Sequence, residues 1–100
     1  MATIYNFEWN IKKAHSNQNN HGVSFEEGAT VFTDPLTITI FDPDHSGSED
    51  RWITMGVSEK GRLLIVVHTF QEDNEGTHTI RIISARKASK HEIKQYGELS

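Results

Sequence analysis

An α+β domain, in which helices cover one face of a small antiparallel sheet, is predicted by three observations. Strand-like segments crowd the chain from residue 36 onward, at 36–41, 51–58, 62–70 and 78–85. The loops between them are short and polar, which makes successive strands antiparallel neighbours. Helix-start signals at Asn10 and Ser24 separate these four strands from an earlier one, and a third signal at Ser89 follows them. The predicted order is strand, two helices, four strands, helix. One hundred residues suit a single domain spanning 1–100.

Each element has a local reason. TIYNFEW (3–9) alternates and is aromatic-rich, which predicts a strand. Asn10 can cap a helix through IKKAHSNQ that frays in NQNN and stops at Gly22. Ser24 and Glu27 have capping-box spacing and open a second short helix running to about Phe32, which Asp34-Pro35 ends. LTITIF (36–41) alternates apolar residues with threonine, and DPDHSGSED (42–50) is a polar loop. RWITMGVS and RLLIVVHTF are strands joined by the turn at 59–61, and EDNEG (72–76) leads into HTIRIISA. Ser89 and Glu92 repeat the capping box and start a terminal helix through Tyr96.

Composition removes several functions. The 35% hydrophobic content and nine aromatics support a globular core. With no cysteine there is no disulfide or thiolate metal site. No apolar run approaches the ~20 residues that span a bilayer, and MATIYNFEWN lacks the basic and apolar regions of a secretion signal, so a cytoplasmic protein with no membrane partner is expected. Six histidines occur without an HExxH, and the calcium-loop-like DPDHSG carries Ile53 where a bidentate Glu is required. P-loop, GxGxxG and GxSxG patterns are absent, so no cofactor is expected. Net charge is −4, divided into −7 over residues 1–78 and +3 over 79–100. The total disfavours nonspecific nucleic-acid binding, whereas the basic C-terminal part allows a local anion site or an oppositely charged partner.

The remaining chemistry lies in arginine, histidine and lysine: Lys12, Lys13, His21, Arg51, His68, Arg81 and Arg86, with Tyr96. Arginine grips phosphate bidentately and stabilises charge that develops in a transition state. Histidine moves protons near neutral pH, a contribution of typically ~10²–10⁴ in rate. RNA carries its own nucleophile, the 2′-hydroxyl, so its cleavage requires no metal. If Leu63, Ile65 and Val67 face the core together with Ile80 and Ile82, His68 and Arg81 emerge on the uncovered face. Each residue also has a structural alternative. His68 suits a satisfied core histidine, Arg81 an ion pair with Glu26 or Glu49, Arg86 with Lys87, Lys90 and Lys94 a solvated face, and Trp9 and Trp52 the core.

FEWNIKKAHSNQNNHGVSFEEGATVFTDP (7–35) resembles the opening of the BrnT toxin family, with its F-x-W-D-x-x-K, K-H-G-V-x-F-E-E-A and D-P pattern. RWITMG (51–56), VVHT (66–69) and IRIISARKA (80–88), with Glu92 and Tyr96, extend the resemblance across about residues 7–96. Asn10, Asn20 and Gly28 depart from the family's Asp, Lys and Ala. The resemblance implies a RelE-like fold and a type II toxin that cleaves RNA, inhibits translation and is neutralised by a BrnA antitoxin. A 2:2 complex built on a ribbon-helix-helix dimer would then repress the operon by binding operator DNA through the antitoxin. Lys13, Arg51, His68, Arg81 and Arg86 occupy matching positions. The expected site is His68, Arg81 and Arg51 as catalytic residues, with Lys13, Arg86, Tyr96 and His21 binding RNA or supplying electrostatic support. The alternatives are an inactive subunit that holds the antitoxin and tunes repression, and a metal-dependent nuclease.

Overall fold

The computed structural model describes residues 4–99 apart from Ser46, Ser48 and Asn74. Its elements are β1 (Ile4–Glu8), α1 (Ile11–His21), α2 (Phe25–Thr30), a 3-10 turn (Val31–Thr33), β2 (Ile38–Asp42), β3 (Arg51–Val57), β4 (Leu63–His68), β5 (Gln71–Glu72), β6 (Thr77–Lys87) and α3 (Lys90–Leu99). The class is α+β, as expected. The helix starts are chemically explicit. Asn10 Oδ1 accepts the Lys13 amide at 3.1 Å, and α1 runs through NQNN to Gly22, whose left-handed φ of 66° lets its N–H reach the Gln18 carbonyl. Ser24 caps α2 through the Glu27 amide, but the Glu27 carboxylate does not return to Ser24. It turns inward to Arg62 and the Ser58 hydroxyl, so only half of that capping box forms. The box at α3 is complete: Ser89 N donates to Glu92 Oε1 and Glu92 N to Ser89 Oγ.

The sheet order is β1-β6-β4-β3-β2, with β5 paired to β6. The sheet is mixed rather than purely antiparallel, because β1 lies parallel to the first half of β6. The two helices between β1 and the other strands give the chain the crossover that parallel pairing requires. Beyond Arg81 β6 has no further partner in β1, and a side chain replaces the strand. Asn17 Nδ2 donates to the Ala85 carbonyl at 2.7 Å, and its Oδ1 accepts the Ala85 N–H at 3.1 Å. A second Nδ2 bond to Val23 O uses both donors of this buried amide, and its oxygen is also satisfied.

Val23, Phe25 and Val31 meet Leu64, Val66, Ile80, Ile82 and Ala85 in the core. The spacing from Ile82 to Ala85 breaks the two-residue alternation, and the β4–β6 register shifts between Val67 and His68 to accommodate it. This bulge keeps Ile80, Ile82 and Ala85 on one face. It also turns Arg81 and Arg86, five residues apart, to the other. On β4 it is Leu64, Val66 and His68 that point at the helices, the opposite of the expected phase. Ile65, on the reverse face, is also buried. Both sides of β4 are therefore apolar, with Ile65 buried and Leu63 and Val67 half-buried on the reverse face, so its sequence contains no alternation from which to choose a face.

Candidate functional site

Lys13, Arg51 and Arg81 converge from α1, β3 and β6 on one cavity of about 320 Å³, together with Asn10 and Ile83. Arg81 reaches it because its neighbours Ile80 and Ile82 are drawn into the core, which turns the guanidinium to the opposite face. Lys13 lies one turn into α1, fixed by the Asn10 cap. Arg81 Nη2 bonds Glu49 Oε1, with the two side chains 42% and 39% exposed. Glu49 also lines an adjoining cavity of about 220 Å³ with His45, Gly47 and Arg51. Arg51 is common to both cavities and stands opposite the buried Asp42 in the β2–β3 register. Asp42 Oδ2 accepts from His45 Nδ1 at 2.9 Å. On the other flank, Lys12, Lys13, Asn20 and His21 line a third hollow that shares Lys13 and Ile83 with the first. Basic groups thus follow one another from His45 past Arg51, Arg81 and Lys13 to His21.

The other expected residues lie elsewhere. His68 is 2% exposed on the helix side of the sheet, so it does not join Arg81 on the uncovered face. Its Nδ1 bonds the Thr69 carbonyl at 3.0 Å and its Nε2 the Thr54 hydroxyl at 2.7 Å, while Phe32 meets it edge-on. Burial lowers its pKa below the ordinary imidazole value. Arg86 forms a two-pronged pair with Glu92, at 2.7 and 2.9 Å, which depresses the Glu92 pKa to about 2. Tyr96 donates its hydroxyl to Asp34 Oδ2 at 2.9 Å, and burial, with that bond, raises its pKa. Asp34 also accepts the Val57 and Leu36 amides, which lower its own pKa. Arg86 and Tyr96 therefore tie α3 to β6 and to the turn before β2, and neither lines the cationic cavity.

Of the seven expected residues, the structure brings three together and sets His21 beside them. Two more groups stand in the same place: Glu49, one of the two ion-pair partners the sequence offered for Arg81, and His45, backed by Asp42, which was not singled out from the sequence. Both belong to the loop DPDHSGSED, which on composition alone is a solvated turn. A histidine and a carboxylate immediately before a strand that opens with Arg51 was the available signal. An arginine has five donors, so Arg81 can keep Glu49 and still present N–H groups to a phosphate. The site combines cations for an anion, a partly exposed carboxylate and an imidazole. Among the described residues no three His, Cys, Asp or Glu side chains gather as a metal site, and no helix is long and apolar enough to cross a membrane.

Residues 9–92 match the sequence family described as ribonuclease toxin, BrnT, of type II toxin–antitoxin systems. Among solved structures, the 1.1 Å crystal structure of the Brucella abortus ribonuclease toxin BrnT is similar to this chain at a TM-score of 0.58 and 19% identity. That similarity covers 88% of this chain and 100% of the Brucella chain, and at such identity it shows a shared fold. No curated protein matches the chain significantly.

Proposed function

The chain belongs to the BrnT family of ribonuclease toxins of type II toxin–antitoxin systems, and on that premise we propose that it is a metal-independent endoribonuclease whose site is the cavity between α1, β3 and β6. The observation that carries this is the convergence of Lys13, Arg51 and Arg81 on one cavity, with Glu49 held by Arg81. Arg51 and Arg81 grip the non-bridging oxygens of the scissile phosphate, and Lys13 stabilises the charge that builds on it. The 2′-hydroxyl attacks the adjacent phosphorus, and Glu49 takes its proton. His45, held through Nδ1 by Asp42, returns a proton to the departing 5′-oxygen. The products are a 2′,3′-cyclic phosphate and a 5′-hydroxyl. His21 and Lys12 guide the flanking backbone.

Family membership supports the wider reading. A type II toxin has an antitoxin partner; here that is a BrnA-type ribbon-helix-helix protein in a 2:2 complex, which carries the toxin to operator DNA. Translation falls because RNA is cut in the cytoplasm, with the substrate laid, as a RelE-like fold would have it, on the side of the sheet that carries Arg51 and Arg81. One observation favours the inactive-subunit alternative: Arg81 is already engaged by an acid in a chain of net charge −4.

The test is cleavage of RNA by purified protein with and without EDTA, together with growth after induction without the antitoxin. Cleavage persists in EDTA. Arg81→Ala lowers it by ~10²–10³, the scale of losing one charge-stabilising donor, and relieves growth arrest. Arg86→Ala leaves the rate within about twofold, since it braces α3. Wild-type protein that neither cuts RNA nor slows growth would leave only the binding role.

A further inference from the structure

A second cavity, of about 340 Å³, opens on the opposite face of the sheet, where Tyr5, Phe32, Trp52 and Phe70 surround Thr39 and His68. We propose that it is a nucleobase-binding site, selective for bases that carry an exocyclic amino group, which seats one base of the RNA whose backbone the cationic cavity holds. The proposal rests on the ribonuclease reading.

The volume falls at the low end of small-ligand sites, which run ~300–1,000 Å³, and so suits a single nucleoside. The walls are aromatic and partly bare: Tyr5 is 44% and Phe70 42% exposed. Phe70 is braced by His78, stacked at 4.9 Å and 27°, and Trp52 by Phe41, edge-on at 5.1 Å. Rings held in place this way are stacking platforms that lose little freedom when a base arrives. The two cavities lie back to back at one end of the sheet. Arg51 and Trp52 are consecutive on β3, Ile80 and Arg81 on β6, and each pair sends one side chain to each face. A single strand turning round that end can place a phosphate on one side and a base on the other.

The polar floor has a fixed direction. His68 Nδ1 faces a carbonyl, which only accepts, so Nδ1 carries the proton and Nε2 is the acceptor. Thr54 therefore donates its hydroxyl to Nε2, at 2.7 Å, and Thr39 must donate its own to Thr54 Oγ1, at 2.8 Å. With its proton committed inward, the Thr39 oxygen offers the cavity an acceptor. Adenine, cytosine and guanine bring a projecting amino donor to such a group, whereas the donor of uracil, its N3–H, lies between two carbonyl oxygens that the Thr39 oxygen repels.

Neutral nucleosides test this independently of the cationic cavity, because they carry no phosphate. Adenosine, cytidine and uridine are titrated into the full chain and followed by the backbone amide resonances of Thr39 and Phe70 and the indole resonance of Trp52. Adenosine and cytidine shift these signals saturably, and uridine binds at least about fivefold more weakly. Phe70→Ala, outside the core cluster, weakens adenosine about tenfold, the loss of one stacking face. Thr39→Val brings adenosine and uridine to equal affinity with the far-UV circular dichroism unchanged. Arg81→Ala lowers RNA cleavage by ~10²–10³ and leaves the nucleoside shifts in place, so the two assignments fail separately. Absence of saturable shifts, uridine as tight as adenosine, or shifts at Thr39 and Phe70 only on adding the antitoxin would each overturn the site.

Discussion

His68 ends an apolar strand and its ring is enclosed by Phe32, Thr54 and the Thr69 carbonyl. Its folded pKa is lowered by burial, so the unfolded chain binds the extra proton first as pH falls. The sign is clear: this stability is complete above the ordinary imidazole value of 6.5 and is lost progressively below it. Glu92 acts in the same direction in a lower window, from the ordinary 4.5 down to about 2, because Arg86 stabilises its carboxylate. Urea midpoints measured from pH 8 to pH 3 should therefore decline in two stages, the first beginning near 6.5. In His68→Gln the first stage disappears and the second remains. A wild-type curve flat down to pH 4.5 would contradict the buried neutral imidazole.

At the scale of elements, β6 depends on a side chain to complete its edge. Asn17→Ala removes the partners of the Ala85 N–H and C=O and of Val23 O, groups that are buried with the core. Orphaned groups of this kind cost about 1–3 kcal/mol each, so the melting temperature should drop by ~10 °C or more, given ~4–8 °C per kcal/mol at this size. A change within 2 °C by differential scanning calorimetry would show that water replaces the amide at no cost. The elements themselves were largely legible in the sequence, because caps at Asn10, Ser24 and Ser89 and turns at 59–61 and 72–76 carry local chemistry. The faces were not. LLIVV is apolar in both phases, and the bulge opposite Val67–His68 resets β6 by one residue, so the face of His68 was settled by packing. The parallel pairing of β1 depends on a contact about seventy residues away, which no local pattern encodes. Lys13, Arg51 and Arg81 could be picked out by residue type and Glu49 as one of two partners for Arg81, whereas His45 gains meaning only when the loop folds against them.

The whole molecule is acidic, at −4, yet presents basic groups that follow one another from Arg51 and Arg81 on the sheet to Lys13, Lys12 and His21 on α1. On the proposed reading, long-range attraction to RNA is therefore weak, and binding would rest on a few close contacts. With about two phosphates neutralised, the scissile one by Lys13, Arg51 and Arg81 and a flanking one by Lys12, log affinity for single-stranded RNA should fall with log salt at a slope of about −1.4, from ~−0.7 per phosphate. Filter binding from 50 to 300 mM KCl measures this slope, and a value near zero would place the RNA away from those residues.

The most direct measurement is an amide chemical-shift titration with an RNA oligonucleotide made uncleavable by a single 2′-deoxy substitution. The largest perturbations are expected at Lys13, Arg51 and Arg81 and at Glu49 in the neighbouring loop, with α3 and the Tyr96–Asp34 contact unmoved. Perturbations centred on α3, with Lys13, Arg51 and Arg81 silent at saturation, would contradict the assignment of the cationic cavity as the cleavage site.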